Sequence, residues 1–378
     1  MRALILTCNT GGGHNSCAKA IQQVFCEHKL VCDIADSLEF ASCRLSHFMS
    51  WGHTTMYRHV PGLFRWGYGF AEKHPGVIEE DTAVYKLLSS GANQLYDRIL
   101  QGNYDTVICT HVFSGVLLAQ MLREHSVALK TAFVATDYTC SPGTAVSHLD
   151  WYFIPHETLA SEYESQGVPK ERIVASGIPV SRSFYNKQAK GTAKEAVGIS
   201  PTHTHLLMMC GSMGCGPLEE LTKLLQIQMD AAMELTIVCG TNEKLQHRLE
   251  KLAEGDSRIH VHGFVSNMSE LMDSADLYLT KPGGLSTTEA AAKRLPMVLI
   301  DAVAGCEAHN MDFFIKCGGA VTAERNEELA SLCVSLLSQP DILAAMSSSL
   351  ALFAENIAAD RIFDTIQGAY YGGHICTV

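Results

Sequence analysis

Three times this chain runs a short apolar stretch straight into a glycine-rich turn and then into a segment with helical spacing. Ala3 to Cys8 leads into Asn9-Thr-Gly-Gly-Gly-His14-Asn-Ser16, Leu206 to Cys210 into Gly211-Ser-Met-Gly-Cys-Gly216, and Leu277 to Thr280 into Lys281-Pro-Gly-Gly-Leu-Ser-Thr-Thr-Glu289. A strand that turns at once into a helix pairs next with a parallel neighbour, so this pattern demands parallel sheets covered by helices on both faces. Val107 to Thr110 and Thr131 to Thr136 read as further strands of a first sheet, and Leu235 to Cys239, Ile259 to Phe264 and Met297 to Ile300 as strands of a second. At 378 residues the chain exceeds one ordinary core and fits two α/β, doubly wound domains. Residues 1–180 are expected to form the first, closed by Gly177-Ile-Pro-Val180, and residues 201–355 the second. Ser181 to Ser200, richer in Lys, Gly and Ser, reads as a linker, and residues 356–378 as a closing helix and tail. Ligands of such sheets bind beyond the carboxyl ends of the strands, so a cleft faced by both domains is expected to hold the site.

Composition narrows the chemistry. The net charge of -12 argues against non-specific nucleic-acid binding, with 13 basic and 17 acidic residues up to Val180 and 15 and 23 beyond it. No apolar run reaches the roughly 20 residues that span a bilayer, and the start of the chain has no signal-peptide pattern, so a cytoplasmic location is expected. The 14 cysteines are scattered singly with no Cys-x-x-Cys pair, which disfavours disulfide frameworks and zinc knuckles. No metal site is expected.

The turn from Thr280 to Glu289 exposes backbone N–H groups, the helix after it aims its positive end the same way, and Glu289 stands one turn in, where it can accept two ribose hydroxyls. That combination describes a nucleotide-sugar site. Gly211 to Gly216 adds a second turn at a strand end, and His262-Gly-Phe-Val-Ser-Asn-Met268 a third loop whose backbone can pair with a pyrimidine edge. The first turn lacks the Gly-Lys-Ser/Thr ending of a Walker loop. Its Gly11 and Gly13, with Asp33 about 20 residues on, come nearer to a dinucleotide fingerprint, or serve only a tight strand-to-helix turn. His14 stands where that turn meets a helix N-terminus, a position that keeps an imidazole neutral and able to accept a proton; the alternative is a satisfied polar residue. Asp137, at the end of the strand Thr131 to Thr136, is a second candidate base, or an Asx cap ahead of Ser141-Pro-Gly143.

With Gly-Gly-Gly-His at 11 to 14, Gly-Ile-Pro-Val at 177 to 180, Lys-Pro-Gly-Gly-Leu-Ser-Thr-Thr-Glu at 281 to 289 and Gly-x-Glu-x-x-Asn at 305 to 310, nearly the whole chain resembles the monogalactosyldiacylglycerol synthase and processive diacylglycerol glucosyltransferase family, relatives of the peptidoglycan N-acetylglucosaminyltransferase. The resemblance implies a GT-B fold, two Rossmann-like domains with the acceptor in the first and a UDP-sugar in the second. It implies that Val265 and Met268 lie beside uracil, Leu285 and Ser286 near the diphosphate and Ser212 and Met213 at the phosphates; the loops themselves add Phe264, Gly211, Gly214, Gly283 and Gly284 as donor-binding residues, unless Phe264 and Val265 only pack at a strand end. By the same resemblance Glu289 holds the ribose, and Glu307 and Asn310 the hexose hydroxyls, while Cys306 in place of the usual Gln leaves the sugar open. Asn9 stands at a place that is acidic in the plant galactolipid enzymes, so the role of base falls to His14 or another residue such as Asp137.

Residues 44 to 74 carry four basic residues, one acid, four histidines and seven aromatics, a composition suited either to a membrane interface or to a helical lid. The resemblance favours the membrane, with Gly12, Gly13, Trp51, Arg58, Arg65, Trp66 and Phe70 on the acceptor and membrane side, at the inner face of the cell membrane. The expected activity is inverting transfer of glucose or galactose from a UDP-hexose to the 3-hydroxyl of diacylglycerol, with no cofactor and no metal. The alternatives are N-acetylglucosamine transfer to a polyprenyl lipid, a UDP-sugar 2-epimerase, a nicotinamide-dependent oxidoreductase and a non-enzymatic lipid- or nucleotide-binding regulator.

Overall fold

The computed structural model describes residues 1–9, 12–42, 82–300 and 305–371. They form two compact units, the first built from the chain up to Ser181 together with the C-terminal helix Ala358–Tyr371, the second from Arg182 to residue 300 and Glu307 to Glu355.

The first unit carries six parallel strands, β1 (Arg2–Thr7), β2 (Val31–Asp36), β3 (Thr106–Cys109), β4 (Lys130–Val134), β5 (Trp151–Ile154) and β6 (Ile173–Ala175), in the order β2-β1-β3-β4-β5-β6. Ala3, Leu4, Ile5 and Leu6 of β1 are fully buried, the continuous apolar run of a parallel strand covered on both faces. Since β2 and β3 flank β1 on opposite sides, the strand order reverses at β1/β3 and a crevice opens at the carboxyl ends of those two strands. β2 escapes the apolar-run criterion because it carries Asp33 and Asp36, and β6 because it is a three-residue edge strand; β5, wholly apolar over Trp151–Ile154, was not read as a strand.

Helix Gly12–Glu27 presents Cys17, Ala18, Ile21, Val24 and Phe25 to the core at helical spacing. Phe363 of the C-terminal helix closes over it, edge-on to Phe25 at 5.1 Å between ring centroids and stacked on His28 at 4.2 Å. The helix from the far end of the chain is thereby part of the first core. Phe363→Ala is expected to cost about 3 to 5 kcal/mol of that unit's stability, the range for a buried phenyl lost without collapse of its cavity. Urea denaturation checks this, and a cost below about 1 kcal/mol would place the ring outside the core.

The second unit repeats the plan with β7 (Thr204–Met209), β8 (Met233–Val238), β9 (Ile259–His262), β10 (Leu277–Thr280), β11 (Met297–Leu299) and β12 (Ala320–Thr322), parallel and ordered β12-β11-β10-β7-β8-β9. Here the order reverses between β7 and β10, and Met209 is the register partner of Thr280. The glycine turns that follow these strands therefore leave the sheet side by side and at one level.

The segment expected as a linker folds onto the second unit instead. Helix Lys190–Ala196 packs on helix Met268–Ser274, and Phe184 is buried. Lys194, only 5% exposed, reaches Asp276 at 2.8 Å and the His203 carbonyl at 2.6 Å, while Lys293 bonds the Asn186 carbonyl and Asp273. Lys194 can be buried because Asp276, 82 positions away, neutralises it, a pairing that local composition cannot reveal. Among the described residues no single helix is long and apolar enough to cross a membrane.

Candidate active site

In the first unit the strand ends converge on His14. The Thr110 carbonyl, just past β3, lies 3.0 Å from His14 Nδ1, and the Thr136 hydroxyl, just past β4, lies 3.0 Å from the same nitrogen. A carbonyl only accepts, so the neutral ring carries its proton on Nδ1 and its lone pair on Nε2. That is the tautomer a general base needs, with one nitrogen anchored by the fold and the other basic. The Thr110 hydroxyl also donates to the His14 carbonyl at 3.4 Å, and Thr110 itself is held by Leu6, whose carbonyl accepts its N–H at 2.9 Å.

Asp137 follows Thr136 on the same loop. That loop is fixed from behind, because Glu162 Oε1 accepts from the Thr139 hydroxyl at 2.6 Å and the Cys140 N–H at 2.8 Å, and Tyr163 donates to the Thr139 carbonyl at 3.0 Å. Asn9 engages Asn15, which donates to it at 2.7 Å. Gly12 and Gly13 make the first turn of the helix that carries His14. Trp51, Arg58, Arg65, Trp66 and Phe70 lie outside the described residues.

In the second unit the turn after β7 is built backbone against backbone. Gly214 and Gly240 both take positive φ, and a Cβ on them would come within 2.2 Å of the Cys239 carbonyl oxygen and 2.1 Å of the Ser212 carbonyl oxygen. Only glycine fits either place. Thr241 N–H donates to the Ser212 carbonyl at 2.9 Å and the Asn242 side chain to the Gly214 carbonyl at 3.0 Å, so the turn is rigid. Gly283 differs: its φ of -72° suits any residue, and a Cβ there would meet nothing within 4 Å. The fold itself does not require glycine at 283.

Two of the glycines expected at the diphosphate make backbone bonds of their own within these turns. The Gly214 N–H donates to the Gly211 carbonyl at 3.1 Å and the Gly283 N–H to the Lys281 carbonyl at 2.8 Å, so both amides are spent within their turns. The amides of Gly284, Leu285 and Ser286 are the ones presented outward, because the first intrahelical bond of helix Gly284–Ala292 runs from Thr287 N–H to the Gly283 carbonyl. The Ser286 hydroxyl pairs with Tyr278 at 2.9 Å. Asn310, wholly buried, donates to the Pro282 carbonyl at 2.9 Å and so braces the turn from beneath.

Glu289 sits one turn into that helix with part of its surface still exposed, yet its carboxyl is enclosed enough that burial pushes its pKa from 4.5 up to about 8. Lys281, whose place in the motif gave no sign of a role, is buried at the start of the turn, 8% exposed. Burial pushes the thiol of Cys210 up to about 12, and its surroundings include the charges of both Lys281 and Glu307. The turn after β7, the turn after β10 and the first turn of helix Gly305–Lys316 thus meet at one end of the sheet. Phe264, 73% exposed, and the half-buried Val265 and Met268 follow β9 at that same end. Thr110, His111, Thr136 and Lys281 were not singled out in the sequence; polar residues directly after apolar strands were the available signal.

Residues 14–180 match the family model of monogalactosyldiacylglycerol (MGDG) synthase, and residues 205–361 that of the glycosyltransferase family 28 C-terminal domain. Proteins named processive diacylglycerol beta-glucosyltransferase from Bacillus mycoides (strain KBAB4) and Bacillus cereus (strain AH187) are each 27% identical over 97% of this chain and 93% of their own length. Among solved structures, Acinetobacter baumannii MurG superposes with a TM-score of 0.67 at 12% identity, covering 97% of this chain and 99% of that one. The UDP complex of S. aureus MnaA gives 0.64 at 14%, covering 100% and 98%. A Listeria monocytogenes protein described as a putative UDP-N-acetylglucosamine 2-epimerase gives 0.66 at 13%, covering 99% and 97%. The fold is GT-B, shared by transferases and epimerases alike.

Proposed function

We propose that this member of the monogalactosyldiacylglycerol synthase family, whose second half is a family 28 glycosyltransferase domain, transfers a hexose from a UDP-sugar to the 3-hydroxyl of diacylglycerol with inversion. The observation that carries the reading is His14, anchored through Nδ1 and basic at Nε2, in a chain that also holds the carboxyl of Glu289 one turn beyond the outward amides of 284 to 286. Glu289 accepts the ribose hydroxyls, the loop at 264 to 268 meets uracil, and the amides with Lys281 face the diphosphate. As the lipid hydroxyl oxygen bonds to the anomeric carbon, its proton passes to His14 Nε2. The bond from that carbon to the diphosphate oxygen breaks, and UDP leaves with the electron pair. Helix end, amides and ammonium stabilise the charge that develops there, so the reaction needs no metal.

The test is incubation with diacylglycerol vesicles and UDP-glucose, UDP-galactose or UDP-N-acetylglucosamine separately, each with a chelator, followed by weighing of the lipid products. A glycosylated diacylglycerol from a hexose donor is expected. Conversion of UDP-N-acetylglucosamine without any lipid would mean an epimerase, and activity lost to the chelator would contradict the metal-free step. The acceptor lies in a membrane, so the aromatic and basic segment 44 to 74 is assigned to reversible contact with its anionic inner face. Replacing Trp51, Trp66 and Phe70 together by Ser is expected to abolish co-sedimentation with anionic vesicles, and unchanged co-sedimentation would remove the segment from that role.

A further inference from the structure

Thr110 and His111 are consecutive residues, and both touch His14. The Thr110 carbonyl accepts a hydrogen bond from His14 Nδ1–H, and the His111 ring stands against the His14 ring at 4.6 Å between centroids and 78° between planes. His111 is in turn backed by Phe113, ring to ring at 4.5 Å and 63°. We propose that His111 is a positioning residue of the transfer reaction: a neutral ring that fixes the plane of His14 so that its Nε2 lone pair keeps one direction. The proposal rests on the reading of His14 as general base given above.

Two features set His111 apart from a residue that only packs. It is the N-cap of helix Val112–Glu124, and its own Nδ1 accepts the Phe113 N–H at 3.0 Å. A nitrogen that accepts a backbone N–H carries no proton, so the neutral ring holds its proton on Nε2, and a second proton on Nδ1 would break the cap. The positive end of a 13-residue helix opposes a charge there as well. The helix therefore keeps this imidazole neutral, and the proton that His14 accepts during transfer meets no like charge on its neighbour. The ring also limits motion, because an edge-on ring on one side restricts rotation of the His14 imidazole out of its plane.

The two tasks of His111, cap and ring, separate in two substitutions. His111→Asn retains a side-chain oxygen to cap the helix and removes the ring. His111→Phe retains a neutral ring against His14 and removes the cap. The proposal expects His111→Asn to keep the melting temperature and the Kd for UDP while kcat falls by about 10-fold or more, the scale on which small misplacement of a catalytic group is felt. It expects His111→Phe to melt lower yet retain kcat within about three-fold. The reverse pattern, full kcat in His111→Asn with a loss in His111→Phe, would reduce His111 to a helix cap and overturn the proposal. Equal kcat in both variants and the wild type would overturn it as well. Should the wild-type chain bind no UDP and form no glycolipid, the underlying reading fails first, and that outcome is distinct from either pattern.

Discussion

His14→Ala is expected to lower kcat by about 10² to 10⁴ while the Kd for UDP stays within two-fold of the wild type. The lipid hydroxyl is a poor nucleophile, and a placed base contributes roughly 3 to 5 kcal/mol to its attack, which is the rate factor above. UDP affinity is spared because every group assigned to the nucleotide lies in the second unit, while His14 and its partners Thr110 and Thr136 lie in the first. Rapid-mix single-turnover assays with UDP-glucose separate the chemical step from binding and product release. A fall in kcat of less than about three-fold would move the base elsewhere, with Asp137, beside Thr136 on the clamped loop, as the next residue to change.

Glu289→Gln is expected to do two opposite things. Loss of the ionised acceptor should weaken UDP binding by about 10- to 100-fold, the range for a hydrogen bond to a charged group. The same substitution should stabilise the second unit at pH 8. Burial raises the folded-state pKa of Glu289 to about 8 against an ordinary value of 4.5, so between these the folded chain holds a proton that the unfolded chain has released. Stability contributed at low pH is therefore lost as pH rises from about 4.5 to about 8, by a few kcal/mol in all, and glutamine, which never ionises, escapes that loss. Thermal melts of both proteins from pH 5 to pH 9 check the sign, with the difference growing toward pH 8 and flat above it. A corollary concerns the ligand. UDP-glucose should favour the ionised carboxylate, so binding at pH 7 should release about one proton from the wild type and none from Glu289→Gln. A variant that binds UDP-glucose as well as the wild type and melts no higher at pH 8 would remove Glu289 from the site. Such a trade, stability given up to hold a buried carboxyl ready for a ligand, is common at functional sites.

The sheets were legible where the strands are apolar on both faces. Ala3 to Leu6 and Leu277 to Thr280 are fully buried, and both read directly from the sequence. β2, β6 and β12 did not, because strands at or near an edge, only three residues long or carrying aspartates, give no periodic signal. The glycine turns were legible as turns, but which of their amides point outward was not. That choice is made by the bonds of Gly214 to the Gly211 carbonyl and of Gly283 to the Lys281 carbonyl, and depends on dihedral angles that composition does not fix. Asn310 is a related case: its place in a ligand-binding motif gave no sign that it braces the loop, which its buried bond to the Pro282 carbonyl shows. His14 stood out by position, whereas its tautomer rests on Thr110, 96 residues away.

A direct displacement in which His14 Nε2 takes the hydroxyl proton as UDP departs is tested by the anomeric configuration of the lipid product. UDP-hexoses carry the sugar α-linked, so one displacement gives a β-linked glycolipid. Proton NMR of the product from UDP-glucose or UDP-galactose should show the β-anomer alone, and an α-linked product would contradict the mechanism.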